Sequence, residues 1–300
     1  LILQHENPGA AFFMPEQKSV RSDIVFDVIK WIALILCVIF VVFPILNVIS
    51  LSIVDGVYNT QVVFFPVWEG LTLQQFEWVL TNANFLAALK NSILYTVVAT
   101  IGSNVLMAMT AYPLSKEDCP FKGPVMIFFI ITMLFSAGIV PTFVWLRTLN
   151  LYNNIWCLIL LSLNNVFNML LYKTNFEGIP SEIEEAAMID GASSLTLFYR
   201  IVIPMTLPVI ASCVFFMIVS TWNSYGSAIL FISDTDQMPL AQFLYRLVTA
   251  TEQSQDNYLV LNSENINAAT IIISVIPILC VYPFIMNYMK SGLTIGSVKG

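Results

Sequence analysis

The residues with the clearest chemical potential lie in one polar stretch, 173–200, and in two small clusters of amides and aromatics. The core of the stretch reads Ile179-Pro180-Ser181-Glu182-Ile183-Glu184-Glu185-Ala186-Ala187-Met188-Ile189-Asp190-Gly191-Ala192. Ser181 followed by Glu184 forms the pattern of a capping box, which predicts a helix starting just after Pro180. Ile183, Ala186 and Ala187 then share one face, while Glu182 and Glu185 project elsewhere. Gly191 suits a left-handed helix end, and a second short helix fits 194–198 before Pro204 and Pro208. Small residues permit close approach to another surface, and Glu185 offers a carboxylate to an Arg or Lys on it. Asp190 is expected to hold the turn by accepting backbone amides. The clusters are Asn164, Asn165 and Asn168, and Trp222, Asn223, Ser224 and Tyr225. Amides supply donors and acceptors together, and aromatic rings supply flat apolar faces. The same residues serve equally well as hydrogen-bonding links between helices, so both readings stand at this point.

Catalytic chemistry finds no support. His5 is the single histidine, in a polar N-terminal stretch, and none of the five cysteines forms a CxxC pair. No G-x-x-x-x-G-K occurs, so the chain has no phosphate-cradling loop of its own. The apolar runs hold no carboxylate, which argues against a proton or sodium relay and hence against an ion-coupled carrier.

The elements that position these residues follow from composition. The chain is 58% hydrophobic and only 10% charged, with a mean hydropathy of +0.80, where soluble domains carry about one-quarter charged residues. Lipid is the expected solvent. Crossing ~30 Å of hydrocarbon takes about 20 apolar residues in a helix. Such runs recur at about 31–53, 92–114, 124–146, 155–172, 205–232 and 268–289. The sequence therefore predicts an all-α integral membrane protein with six transmembrane helices. Three segments follow: 1–30 before the bundle, 31–289 for the bundle with its 173–200 loop, and a tail at 290–300. The first apolar run is too long for a cleaved signal and is expected to stay as an anchor.

Basic residues orient the bundle. With both termini inside, Lys18, Arg21, Lys30, Lys116, Lys122, Lys173, Arg200, Lys290 and Lys299 are cytoplasmic, leaving only Lys90, Arg147 and Arg246 of the 12 outside. The 173–200 loop is then cytoplasmic, and 54–91 and 233–267 are long external loops. Around Leu73, Phe76, Trp78 and Leu80 the first loop has the pattern of an interfacial helix. The second is polar throughout and is either a solvated loop or a docking surface. A net charge of −7 argues against nucleic acid as a partner.

The spacing Glu185-Ala186-Ala187, Asp190-Gly191-Ala192, Phe198, Pro204 and Pro208 resembles the EAA loop of ABC-importer permeases. Phe167-Asn168, Trp222-Asn223 and the ending Gly296-Ser297-Val298-Lys299-Gly300 resemble the carbohydrate-uptake, maltose-permease-like branch, and within it the YtcP/LplC-like permeases. The similarity runs from Asp23 to Gly300; one departure is that Pro239-Leu240 comes later after Trp-Asn than in many relatives. The resemblance implies a permease subunit that forms half of a translocation pathway for a sugar or oligosaccharide in a bacterial cytoplasmic membrane. It implies four kinds of partner beside the bilayer: a second homologous permease, two copies of a cytosolic ABC ATPase, an extracytoplasmic solute-binding protein and the sugar. ATP and Mg would be bound by the ATPase, with no cofactor in this chain. Glu184, Glu185, Ala186, Ala187, Asp190 and Gly191 would then couple to the ATPase. Asn164, Asn165, Asn168, Trp222, Asn223 and Tyr225 would line the pathway, and the tail with Gly296 and Lys299 would reach between the ATPases. A non-sugar cargo on the same machine is the alternative.

Overall fold

The computed structural model describes residues 20–55, 70–252 and 257–296. His5, Lys18 and Lys299 lie outside the described residues. The architecture is all-α; the described residues hold no strand, only an isolated antiparallel bridge between Val54 and Leu71. Four helical stretches are long and apolar enough to cross a membrane: Phe26–Ser52, Ala83–Ser115, Ile155–Glu177 and Glu264–Met289. Two bent pairs of helices pass the same measure together, so the number reaches the predicted six when each pair counts as one crossing.

The first crossing is α1 (Val20–Ser52). The amphipathic segment in the following loop is α2 (Gln74–Thr81), a helix as expected. The second crossing is α3 (Ala83–Ser115), nine residues longer at its start than the apolar run, because Asn82 caps it by accepting from the Phe85 amide at 3.0 Å. It occupies the centre, packing on the helices of the fourth and fifth crossings.

The third crossing corrects the sequence reading. In place of one helix over 124–146, α4 (Lys122–Leu134) and α5 (Ile139–Thr148) meet at a bend of 109°. Gly138, at φ 86°, takes the backbone through a left-handed conformation that ends helical pairing. The fourth crossing is likewise split, into α6 (Ile155–Leu163) and α7 (Val166–Glu177). Asn165 explains why: it turns its side-chain oxygen onto the Asn168 amide at the start of α7, as Asn154 does onto the Trp156 amide at the start of α6.

After α7 come two short surface helices, α8 (Ser181–Ile189) and α9 (Ser194–Leu197), then a π-helical turn over Phe198–Val202 and α10 (Ile203–Met205). The fifth crossing, α11 (Leu207–Trp222), leaves this segment at 80°. Its 16 residues cover only about 24 Å at 1.5 Å per residue. The unbroken run expected over 205–232 therefore gives way to a break at Asn223–Tyr225 and a separate α12 (Gly226–Phe231). The 233–267 segment is mostly helical rather than a solvated loop: a 3-10 turn at Thr235–Gln237 precedes α13 (Leu240–Glu252), and α14 begins at Asn257. α14 (Asn257–Gly296) makes the sixth crossing and continues into the predicted tail, ending at Gly296.

Three buried clusters divide the bundle by depth. At one face Met107, Ala111, Tyr172, Phe176, Leu197 and Phe198 join α3, α7 and α9. At the other, Leu146, Ile155, Phe231 and Ile232 join α5, α6 and α12. Val79, Phe85, Trp222 and Leu240 tie α2, α3, α11 and α13. By contrast α1 is exposed from Phe26 to Leu46, with Leu36 and Phe40 at 61% and 83%, which suits contact with lipid rather than a soluble core.

Candidate coupling surface and translocation pathway

The α8–α9 unit is built largely by the main chain. Pro180, at φ −57°, forms the cap residue of α8, without a side-chain capping bond. The capping box expected from Ser181 and Glu184 does not form. Glu184 turns away to meet Lys116, which caps the end of α3, and both carboxylate oxygens contact its ammonium group. A charge-assisted pair is stronger than a bond to a neutral amide, so the ion pair wins the carboxylate.

At the other end of α8 the Gly191 amide donates to Met188 at 3.0 Å and the Ala192 amide to Ala187 at 3.0 Å. With Gly191 at φ 84° this is a Schellman ending, as the glycine implied. The Asp190 carboxylate was expected to hold the turn, yet main-chain bonds close it alone. Ser193 then starts α9 by accepting from the Thr196 amide.

Two faces result. Inward, Glu184 is buried, as are Leu197 and Phe198, and Ala187 packs beside them. Phe198 lies 5.0 Å from Tyr112 and meets Phe176 edge-on, which seats the unit on α3 and α7. Outward, Glu185 and Ala186 are exposed, and so are Met188, Ile189 and Leu195, with Ile189 at 86%. Apolar side chains grouped on an aqueous face, beside a free carboxylate, mark a surface for another protein. Between α8–α9 and the 116–122 turn lies an open cleft of about 1130 Å³. Lys122 and Lys173 both reach Glu177 at its edge, at 3.1 and 2.7 Å.

The six pathway candidates separate into distinct environments. Asn164 is exposed at the break between α6 and α7. Asn165 is half-buried, caps α7 and approaches the Met217 sulfur. Asn168 is fully buried, and its amide donates to the Cys213 carbonyl at 3.2 Å, so it links α7 to α11. Trp222 is almost buried and lines an apolar groove of about 320 Å³ with Thr96, Thr100 and Pro277. Asn223 is exposed, though its amide donates back to Val219. Tyr225 is half exposed and stacks on Tyr245 at 5.6 Å. The exposed set is therefore Asn164, Asn223 and Tyr225, each at a helix break. Gly296 is the last described residue of α14, and Lys299 lies outside the described residues.

Sequence reasoning missed Lys116, Asn91 and Ser92. Asn91 donates to the carbonyls of Asp236 and Met238, and Ser92 accepts from the Leu240 amide at 2.7 Å. Partners 68 to 148 residues away leave no local signature.

Residues 84–294 match the family described as the binding-protein-dependent transport system inner membrane component. The chain belongs to that family. The permease is 34% identical over 283 residues to the polygalacturonan/rhamnogalacturonan transport system permease protein YtcP of Bacillus subtilis, covering 92% of this chain and 98% of the relative. It is 35% identical to protein LplC of the same organism, over 86% of this chain and 90% of that protein. Among solved structures, a bacterial ABC transporter involved in the import of the acidic polysaccharide alginate superimposes with a TM-score of 0.82 at 29% identity, covering 89% of the permease and 98% of that chain. YtcP is named as a transport system permease protein, in keeping with the inner membrane component that the family describes. The α8–α9 unit carries the stretch whose spacing resembles an EAA loop.

Proposed function

We propose that this permease forms half of the pathway of an ATP-driven importer that carries an oligosaccharide. The carrying observation is the α8–Gly191–α9 unit: a rigid helix-turn-helix seated on α3 and α7, with an outward face of Ala186, Met188, Ile189 and Glu185. That face fits a cytosolic ATPase, which would bind ATP and Mg and supply the energy that this chain's own residues do not. Two ATPases and a second homologous permease would complete the machine, with a solute-binding protein delivering sugar on the opposite face. The bias of basic residues toward the α8–α9 side supports cytoplasmic termini.

The cargo assignment is supported by YtcP, named for polygalacturonan and rhamnogalacturonan, and by the alginate transporter. The exposed amides of Asn164 and Asn223 can donate to hydroxyls or to a carboxylate, and Tyr225 can stack on a sugar face. Both neutral and uronic-acid chains are thereby accommodated in spans without fixed charge.

The test is uptake into vesicles holding the complete complex, with labelled oligogalacturonide and a neutral oligosaccharide of equal length on the binding-protein side. ATP-dependent uptake of either supports the reading. Uptake without ATP, or of neither sugar while a peptide or amino acid enters, refutes it.

A further inference from the structure

The central helix α3 is held at two distant levels by side chains that reach far parts of the chain. At one end Lys116, the residue that caps α3, holds Glu184 of α8. Its side chain is 30% exposed and that of Glu184 only 12%. The Lys116 ammonium also lies 4.7 Å from the centre of the Tyr112 ring, one turn back on α3. Two turns inside the opposite end, Asn91 donates to Asp236 at 2.7 Å and to Met238 at 3.1 Å, and Ser92 accepts from Leu240. Those three residues belong to the segment entering α13, which Asn153 also grips by accepting from the Ser233 and Asp234 amides at 2.8 Å. From Asn91 to Lys116 the helix spans roughly 37 Å at 1.5 Å per residue, which is more than the hydrocarbon thickness.

We propose that α3 is the rod that transmits movement of the coupling loop to the opposite face, with Lys116–Glu184 and Asn91/Ser92–Asp236/Met238/Leu240 as its two clamps. Lys116 and Glu184 are positioning residues: they touch neither nucleotide nor sugar. α8 pulls on α3 through a semi-buried ion pair, whose loss leaves a poorly solvated charge behind. α3 in turn shifts the 233–240 segment through amide and hydroxyl bonds that leave little slack. This inference rests on the importer reading, because the ATPase is what moves α8.

The experiment is hydrogen exchange on the complex purified with its ATPase, with and without a non-hydrolysable ATP analogue. In the wild type the nucleotide should change exchange in 233–240 several-fold. Glu184→Gln and Lys116→Gln should cut that response by more than half with the ATPase still retained. Lys116→Arg should keep it, and the swap Lys116→Glu with Glu184→Lys should restore most of it. Asn91→Ala with Ser92→Ala should abolish the response at 233–240 and leave exchange in 181–192 responsive to nucleotide. An undiminished response in the single variants overturns the proposal. So does the lack of any response in the wild type, or a loss that the swap does not restore, since that marks local misfolding. Failure of the wild-type complex to take up sugar counts against the carbohydrate reading instead and does not enter this measurement.

Discussion

Gly191 closes α8 at φ 84°, and a Cβ built on it meets no atom within 4 Å. A Gly191→Val change therefore tests backbone strain with no clash at the Cβ. Holding an L-residue in the left-handed region costs roughly 1–2 kcal/mol, and a β-branched residue lies at the upper end. The Schellman bonds of Gly191 and Ala192 depend on that conformation, so strain falls on the turn that sets α8 against α9. A penalty of one to two kcal/mol corresponds to a factor of about 5–30 in an equilibrium. If the ATPase binds only the formed turn, apparent affinity should fall by up to that factor. The assay is titration of purified ATPase against detergent-solubilised permease complex carrying Gly, Asn, Ala or Val at this position. Asn, which tolerates the left-handed region, should bind nearly as well as Gly, with Ala weaker and Val weakest. Wild-type affinity for Val, or equal losses for Asn and Val, would show that the turn conformation does not govern docking.

Asn168→Ala should lower thermal stability of the purified complex by about 1–3 kcal/mol, the cost of stripping a buried hydrogen bond, with uptake per folded complex unchanged. Asn164→Ala should do the reverse, lowering uptake at normal stability; equal uptake in both variants would remove the break between α6 and α7 from the pathway. Glu185→Lys should weaken ATPase co-purification while the permease still inserts, and full retention would assign the docking energy to the apolar side chains alone. A cysteine at Ser193, with Cys37, Cys119, Cys157, Cys213 and Cys280 replaced, should resist an impermeant thiol reagent in intact cells. Rapid labelling there would invert the topology.

Crossings α1, α3 and α14 are legible because a long apolar run is its own signal in lipid. The split crossings are not, since Phe135 to Gly138 and Asn164–Asn165 sit inside runs whose mean hydropathy hides a local change in backbone pairing. Helix ends were set by side chains that averaging cannot see, such as Asn82 ahead of α3 and Asn165 ahead of α7. In the 173–200 stretch the helix, its glycine end and the second helix could all be read locally. Glu184 could not, because its partner Lys116 lies 68 residues back and displaces a cap that local pattern favours. Asn168 was open to two readings, and its burial against Cys213 makes it a link between helices.

The bend between α4 and α5 has a bearing on what the permease is when alone. α4 rises through 13 residues, or about 20 Å along its axis, before the helix lets go at Phe135. For a helix that starts at the membrane edge, that point falls short of the far side of a ~30 Å hydrocarbon layer. Residues 135–140 are all exposed, and only local side chains serve the freed backbone: Ser136 accepts from the Gly138 amide at 3.2 Å, and Thr142 donates to the Gly138 carbonyl at 2.8 Å. Acyl chains cannot solvate peptide groups, so such a segment belongs against protein or along a wet passage. A solitary copy in a bilayer would carry an open polar seam at this depth. Burial of that seam gives membrane assembly a driving force that does not depend on the hydrophobic effect, which is weak between helices already surrounded by lipid.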